Sequence, residues 1–352
     1  MADSIVTSPE FGIVKWQSPS NIALVKYWGK HGRQLPGNPS ISLTLDKAHT
    51  VTEIAYKAND STQKQPQVQF KFEGKEAPTF KTRIEKFLSG ITNELSFLKN
   101  VDLDISSSNS FPHSSGIASS ASSMSALALC LMEIENQLEG KTGIDYQRAS
   151  HIARLGSGSA SRSVYGPIAV WGETNSVPRS SDLHAIPYME KVHSNFEHFH
   201  DDILIISKKK KSVSSSAGHD LMTDNPYKST RYEQAHIHVG EIITSMQNGD
   251  LEAFGDLVEK EALTLHALMM ASSPPYMLME PNTIRAINMI QQFRKEEKVP
   301  VYFTLDAGPN IHLLYPDLAL SQVNQLKHLL SPLCEDNMMI EDIIGTGPKA
   351  LL

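Results

Sequence analysis

The 352-residue sequence predicts an α+β fold in two domains. Three observations carry this expectation. Strands and helices interleave without the regular βαβ period of a doubly wound sheet. The first third reads as strands around one helix, whereas three helical patterns follow one another between residues 227 and 297. The chain also exceeds the ~250–300 residues at which a single core stops growing, and residues 173–200 are irregular and polar enough to form a crossing. The expected domains are 1–195 and 196–352.

Taken in order, residues 51–56 and Val68–Phe72 have strand chemistry, the second (VQFKF) with clean alternation of apolar and polar positions. The spacing of Ile84, Phe87, Leu88, Ile91, Leu95 and Leu98 predicts a helix over 79–98. Val101, Leu103 and Ile105 alternate with Asp102 and Asp104, giving a strand with one solvated face. The run SSSNSFPHSSGIASSASS then leads into a long apolar helix ending near Leu138. A helix over 146–155, a Gly/Ser turn and the strand Ile168–Trp171 follow. The second half reads as a short buried strand at 203–207, then helices over about 227–247, 250–271 and 280–297. A strand pair, 301–305 and 311–315, flanks the turn 306–310, and a helix over 317–330 and a strand near 339–344 close the chain. No internal repeat is found.

Lys and Arg total 32 against 39 Asp and Glu, a net charge of −7, with 40% hydrophobic residues. This composition excludes whole-chain disorder and lacks the strongly basic balance of a general nucleic-acid binder. Two cysteines, Cys130 and Cys334, cannot build a disulfide framework or a thiolate zinc site, and Cys130 reads as a buried core thiol. The fourteen histidines show no metal-ligand spacing, and His31, His113 and His312 have no evident partners. The first residues lack the basic start and apolar core of a signal peptide. No stretch reaches the ~20 apolar residues of a membrane span, so the expected location is the cytoplasm.

Five segments carry chemistry. PHSSGIASSA (112–121) follows a strand and opens a helix, so its backbone N–H groups and the Ser119 and Ser120 hydroxyls suit an anion; a Ser-rich helix cap is the equal alternative. It is not a Walker A loop, lacking GxxxxGK[ST]. GSGSASRS (156–163) lacks the third glycine of a dinucleotide fingerprint, and its Arg162 suits phosphate or carboxylate as well as a flexible loop. In SPSNIALVKYWGK (18–30), Lys26 and Lys30 sit among apolar residues beside Asn21, Tyr27 and Trp28, which favours partial burial and a charged ligand. Asp306, at a strand end before Gly-Pro, suits either a turn or a catalytic base. The four lysines 208–211 read more readily as a solvated edge than as a nucleic-acid patch.

Together these segments resemble the mevalonate diphosphate decarboxylase branch of the GHMP kinase superfamily, collinearly from about Ser18 to Gly347. SPSNIALVKYWGK is similar to the family's opening motif, and LPGNPSISLTL to the segment that follows it. SNSFPHSSGIASSAS resembles its phosphate loop, RLGSGSASRSVYG its diphosphate turn, KKKKSVSSSAGHDLM its lysine-rich strand end, and VYFTLDAGPNIHLLY the segment with the catalytic aspartate. The resemblance implies a two-domain GHMP-kinase-like α+β fold with the active site in a deep inter-domain cleft. It implies a homodimer using ATP and Mg²⁺ to convert mevalonate 5-diphosphate to isopentenyl diphosphate, with neither nucleic acid nor membrane as partner. By the same carry-over, Asp306 orients and deprotonates the 3-hydroxyl, Lys26 stabilises developing charge and Arg162 holds the substrate carboxylate. Asn21, Tyr27, Lys30, Ser157, Gly158 and Ser159 would complete the substrate site. Ser115, Gly116, Ile117, Ala118, Ser119 and Ser120 would cradle the ATP phosphates, with Ser214 and Ser215 in a nearby loop. No protein metal ligand is assigned.

The chain departs from that pattern at His113–Ser115, at Ser161, at Pro39 and in TLHALMM (264–270), which bear on substrate fit. A decarboxylase of mevalonate 5-phosphate, or a small-alcohol kinase of the same superfamily, is therefore the alternative. Residues 11–45, 105–132 and 146–172 contain no Asp or Glu but hold Lys15, Lys26, Lys30, Arg33, Arg148, Arg154 and Arg162. Such local distribution, rather than net charge, decides where polyanions bind.

Overall fold

The computed structural model describes residues 11–59, 65–112, 117 and 119–352. Its frame is a pair of long antiparallel strands, Phe11–Val25 and Ser40–Ala58, paired from Phe11 opposite Lys57 to Val25 opposite Ile41 with register shifts between Pro19 and Asn21 and between Ala23 and Val25. Alternation marks Ile13–Gln17 as one-sided, but every residue from Ser18 to Val25 is buried. That stretch includes Ser18, Ser20 and Asn21, and polar groups tolerate burial only when they are hydrogen-bonded. Ser18 donates to Ser125 Oγ at 2.7 Å and Ser20 to the Ile117 carbonyl at 2.8 Å. Val101–Asn109, Val68–Phe72, Ile168–Trp171 and short edge strands complete an eight-stranded sheet.

The helix Pro78–Gly90 starts with proline at its first position, where no N–H is needed. It stops at Gly90, short of the predicted Leu98. Ile91, Leu95 and Leu98 are still buried, but from turns and the single 3₁₀ turn Ser96–Lys99. Glycine followed by β-branched Ile91 and Thr92 ends the helix, while the apolar spacing persists because the same core receives it. The helix Ser119–Glu139 lies across the sheet with Leu127, Leu129, Leu131 and Ile134 buried, and Cys130 is fully buried as expected. Tyr146–Gly156 is capped by the Asp145 side chain.

In the second half, Phe199–Leu204, Tyr302–Thr304, Ile311–Pro316 and Met339–Ile340 form a four-stranded antiparallel sheet. The short strand predicted at 203–207 thus begins earlier, at Phe199, because Phe199–Leu204 pairs along the whole of Ile311–Pro316. Helices Lys228–Asn248 and Leu251–Met270 are separated by Gly249, at φ +74°, and Asp250, which caps the second. Pro281–Glu297 opens with a Glu280/Thr283 capping box, and Leu320–Leu330 follows the hairpin. A short helix that the sequence reading did not resolve, Ser215–Asp220, is capped by Ser214.

The halves share a core. Ile22, Leu24, Ile41, Leu43 and Val170 from the first sheet pack with Val239, Ile242, Phe254, Tyr302 and Leu314 from the second half. The chain's end returns to the first sheet, where Lys349–Ala350 pairs with Trp16 and Gln17. Asp342 ties the two sheets together. Its carboxylate accepts the N–H groups of Asp46, Lys47 and Ala48 at 3.0, 2.8 and 2.7 Å. Its own N–H donates to Asp202, whose carboxylate also takes Tyr315 and Lys327.

Asp342→Ala removes the acceptor for several N–H groups at once, each costing about 1–3 kcal/mol when left unpaired. A loss of about 3 kcal/mol in urea denaturation is expected, with a smaller loss for Asp342→Asn. An unchanged unfolding midpoint in the alanine variant would show that the strut carries no load.

Candidate active site

A cleft of about 330 Å³ opens where the buried end of Phe11–Val25 meets the second half. Asn21, Lys26, Tyr27, Lys30, Ser119, Ser120, Ser157, Gly158, Ser159, Arg162, Ser214, Ser215 and Asp306 all line it. Ile117 does not: it is 2% exposed and packs with Leu45, Phe111 and Ile203. Ser115, Gly116 and Ala118 lie outside the described residues.

Lys26 is 1% exposed, and its ammonium donates to the Ala23 carbonyl at 2.6 Å and to Asp306 Oδ1 at 3.2 Å. Its backbone is clamped by the second half. The Lys26 N–H donates to Glu261 at 2.8 Å, and its carbonyl accepts from Arg231 at 2.9 Å. Glu261 is fully buried and takes both Arg231 nitrogens at 2.6 Å, together with the His238 ring. Burial lowers the Lys26 pKa, against the pull of Asp306. For Asp306 burial works upward, but Lys26, then His312 and Lys211, outweigh it and hold the carboxyl below its usual range. The Asp306 side chain is 29% exposed, and Oδ2 has no partner among the described residues. It is an ionised acceptor facing the cleft.

Arg162 is 2% exposed, yet among the described residues its hydrogen-bond partners include no carboxylate. Its guanidinium donates to Ser40 Oγ at 2.7 Å, Ser42 Oγ at 3.2 Å and Asn21 Oδ1 at 3.3 Å, and lies 5.9 Å from the Trp171 ring. Burial lowers its pKa to about 10, so it stays charged at neutral pH. A buried cation held by neutral groups is costly unless an anion joins it. Asn21 is itself fixed by Ser163 Oγ at 2.7 Å. The 3₁₀ stretch Gly158–Val164 brings Arg162 inward while Ser157 and Ser159 stay at the mouth, where Ser120 and Ser157 hydroxyls meet at 3.2 Å. Lys30 sits on a tight loop closed by Gly37 N–H to the Gly29 carbonyl, with the Tyr232 hydroxyl filling the space a Cβ on either glycine would take.

The lining also includes Arg83, Lys210, Lys211 and His219, to which the sequence reading assigned no site role. Arg83 lies on Pro78–Gly90, where only the apolar spacing was informative in sequence. Lys211, with Lys210, ends the lysine run that read as a solvated edge. Burial lowers the Lys211 pKa while Asp306 raises it. His312, which showed no partner in sequence, bonds Asp201 at 2.7 Å in the core. His266 Nε2–H donates to the Asp306 carbonyl, 3.2 Å away, and burial lowers its pKa to about 4.

The cleft therefore carries Lys26, Lys30, Arg83, Arg162, Lys210 and Lys211 against one acid, Asp306. A wider groove, about 1520 Å³, between 176–190 and 237–257 has the opposite character, with Glu190, Glu241, Asp250 and Asp256 against Arg179. Only the first suits polyphosphates. Beside it, Phe70, Phe72, Phe80, Ile105 and Leu127 line a small apolar pocket that reaches Ser119 and Ser120, a shape suited to a flat ring next to bound phosphates. Among the described residues no three His, Cys, Asp or Glu side chains cluster to hold a metal, and no helix is long and apolar enough to cross a membrane. The oxygen donors on offer are Asp306 and the Ser119 and Ser120 hydroxyls, which fits a Mg²⁺ ion held mainly by phosphate oxygens.

Among curated relatives, the diphosphomevalonate decarboxylase of Candida albicans is 29% identical over 94% of this chain and 96% of its own length. The phosphomevalonate decarboxylase of Haloferax volcanii is 28% identical over 82% and 84%. The mevalonate diphosphate decarboxylase structure from Staphylococcus aureus superposes with a TM-score of 0.82 at 29% identity, covering 97% of this chain and 98% of that one. A complex of MDDEF with MVAPP, AMPPCP and magnesium superposes equally, at 0.82 and 26% identity, covering 97% and 99%. Residues 18–183 match the diphosphomevalonate decarboxylase-like N-terminal domain and residues 202–346 the mevalonate 5-diphosphate decarboxylase C-terminal domain, so the chain belongs to the diphosphomevalonate decarboxylase family.

Proposed function

We propose that the protein catalyses ATP-dependent decarboxylation of mevalonate 5-diphosphate to isopentenyl diphosphate, releasing ADP, phosphate and carbon dioxide. The observation that carries this reading is the Lys26–Asp306 pair at 3.2 Å beside a buried Arg162 that bonds no carboxylate among the described residues. Asp306, ionised at neutral pH, accepts the proton of the tertiary 3-hydroxyl as its oxygen attacks the γ-phosphorus of ATP. Lys26 steadies the negative charge on Asp306 and on the transferring group. Arg162 takes the substrate carboxylate. When the 3-phosphate leaves, positive charge grows at that carbon; the bond between the carboxylate carbon and the neighbouring methylene breaks, and its electron pair becomes the new double bond as carbon dioxide departs. Pinning both ends of the molecule makes this elimination effectively intramolecular.

Tyr27, Lys30, Ser157, Gly158 and Ser159 would hold the 5-diphosphate. Ser119 and Ser120, with Ser214 and Ser215 across the mouth, would hold the nucleotide phosphates, with its base in the adjoining apolar pocket. Bound Mg²⁺ would neutralise the β- and γ-phosphates during transfer. The domain division 1–195 and 196–352 places the cleft at the junction. The cytoplasm is the location in keeping with two buried free cysteines, and a homodimer follows from the family resemblance. The 28% identity to a phosphomevalonate decarboxylase favours the 5-phosphate as the second reading.

Mevalonate, its 5-phosphate and its 5-diphosphate, each assayed with Mg-ATP for ADP and carbon dioxide, separate these readings. Equimolar ADP and carbon dioxide are expected from the 5-diphosphate; ADP without carbon dioxide would identify a kinase and end the decarboxylase reading. Asp306→Asn is expected to lower kcat by about 10³-fold, in the range of lost general-base catalysis, with substrate dissociation constants changed only a few-fold.

Lys211→Met removes one of the charges that hold Asp306 ionised. The Asp306 pKa then rises, so the acid limb of the kcat/KM profile should move to higher pH while the alkaline limb stays. A shift toward lower pH would contradict the assignment of that limb to Asp306.

A further inference from the structure

His219 is 9% exposed and stands on the cleft between two aromatic rings, Tyr27 at 4.3 Å and Trp28 at 4.5 Å between centroids. It projects from the short helix Ser215–Asp220, which packs so closely that a Cβ on the neighbouring Gly218 would meet Trp28 and Tyr276. If the position served packing alone, an apolar side chain of similar size would serve better, because each polar atom buried without a partner costs stability. One ring nitrogen is used: Nδ1 accepts the Gly29 N–H at 3.0 Å. That bond fixes the tautomer, since a nitrogen that accepts carries no hydrogen and the neutral ring then bears its proton on Nε2. Among the described residues Nε2 has no hydrogen-bond partner, and it is not among the side-chain atoms sealed from solvent without one.

We propose that His219 contacts the substrate directly, its Nε2–H being a neutral ring donor to an anionic oxygen of bound mevalonate 5-diphosphate. The proposal rests on the functional reading above and names a residue that specifies how this chain holds that substrate. The surroundings support it. Burial, then the charges of Lys30 and Arg162, push the ring pKa down to about 3, so the ring remains neutral across working pH. A neutral donor between two cations adds a directed bond to the anion without adding charge that the empty cleft would have to carry. The Gly29 contact also links the ring to the loop holding Lys30, so His219 and Lys30 are positioned by one another.

The test uses the full-length enzyme with His219→Met and His219→Phe, which remove the donor, and His219→Gln, whose amide N–H reaches the place of Nε2. Calorimetric binding of mevalonate 5-diphosphate without nucleotide is measured beside KM for both substrates, kcat and the thermal midpoint. A hydrogen bond to a charged group is worth about a tenfold change or more in affinity. The expected result is at least a tenfold rise in the dissociation constant for Met and Phe, with the KM of ATP within about twofold and most of the loss recovered by Gln. Repeating the titration with mevalonate 5-phosphate locates the oxygen: an equal penalty points to the carboxylate or first phosphate, and a penalty only on the 5-diphosphate points to the terminal phosphate. Binding within twofold of wild type in the donor-less variants overturns the proposal. So does a Gln variant as weak as Met and Phe with ATP KM and thermal midpoint falling together, which is the signature of packing. Failure of wild type itself to bind mevalonate 5-diphosphate overturns both this proposal and the functional reading, whereas normal wild-type turnover with unaffected variants removes His219 alone.

Discussion

The peptide of Lys26 is the point on which the site depends. A buried ammonium needs a fixed counter-charge, and Asp306 lies 280 residues further along the chain. The two can meet at 3.2 Å only because Glu261 and Arg231, from the two long helices of the second half, grip the Lys26 N–H and carbonyl. The grip is itself a buried ion pair, Arg231 being 2% and Glu261 0% exposed. Such pairs contribute little net stability over apolar packing, but breaking one by removing a partner costs about 3–5 kcal/mol. What they supply here is placement. With Lys26 fixed, Asp306 has a set orientation and ionisation, and the strand residues just before it, Asn21 to Ala23, have a set distance from Arg162.

Much of this was legible in sequence because the chemistry of the cleft concentrates in short segments. Lys26 among apolar neighbours, Arg162 between serines and Asp306 at a strand end each stood out by type and context, and the structure brings all three to one cleft. What stayed hidden has a common physical cause. Glu261, Arg231 and His238 sit on helices whose charges look like any solvated face until the packing partner is known, and periodicity does not reveal that a strand from the other half fills the gap. His219 gave no signal because its role depends on a ring nitrogen meeting Gly29, 190 residues away. The helix over 79–98 was overextended for the opposite reason, since apolar spacing reports burial and not backbone conformation, and Gly90 was the better guide.

The acid-free segments tell a more divided story than their composition implied. Of their seven cations, Lys26, Lys30 and Arg162 face the cleft, but Lys15 pairs with Glu53, Arg33 with Glu94 and Arg148 with Glu135. Arg154, 2% exposed, donates to the carbonyls of Leu183 and Arg33 and acts as a structural tie. The cleft makes up the difference from outside those segments, with Arg83 from a helix and Lys210 and Lys211 from the loop after the strand Phe199–Leu204.

Six cations and one acid around a small volume repel one another, and the low-dielectric setting of Lys26 and Arg162 strengthens that repulsion. Burial adds a desolvation cost of its own, which lowers the Lys26, Lys211 and Arg162 pKa values against the pull of Asp306. A fold could lower the repulsion by placing acids among the cations, as the protein does elsewhere with Glu53, Glu94 and Glu135. In the cleft it does so sparingly, with Asp306 on Lys26 and Asp220 3.6 Å from Lys30, because further acids would compete with phosphate and carboxylate for the same donors. The compensating charge therefore arrives with the ligands: anything that binds the folded state alone stabilises it by mass action, and a cleft kept short of acids converts its own electrostatic strain into affinity for two polyphosphates.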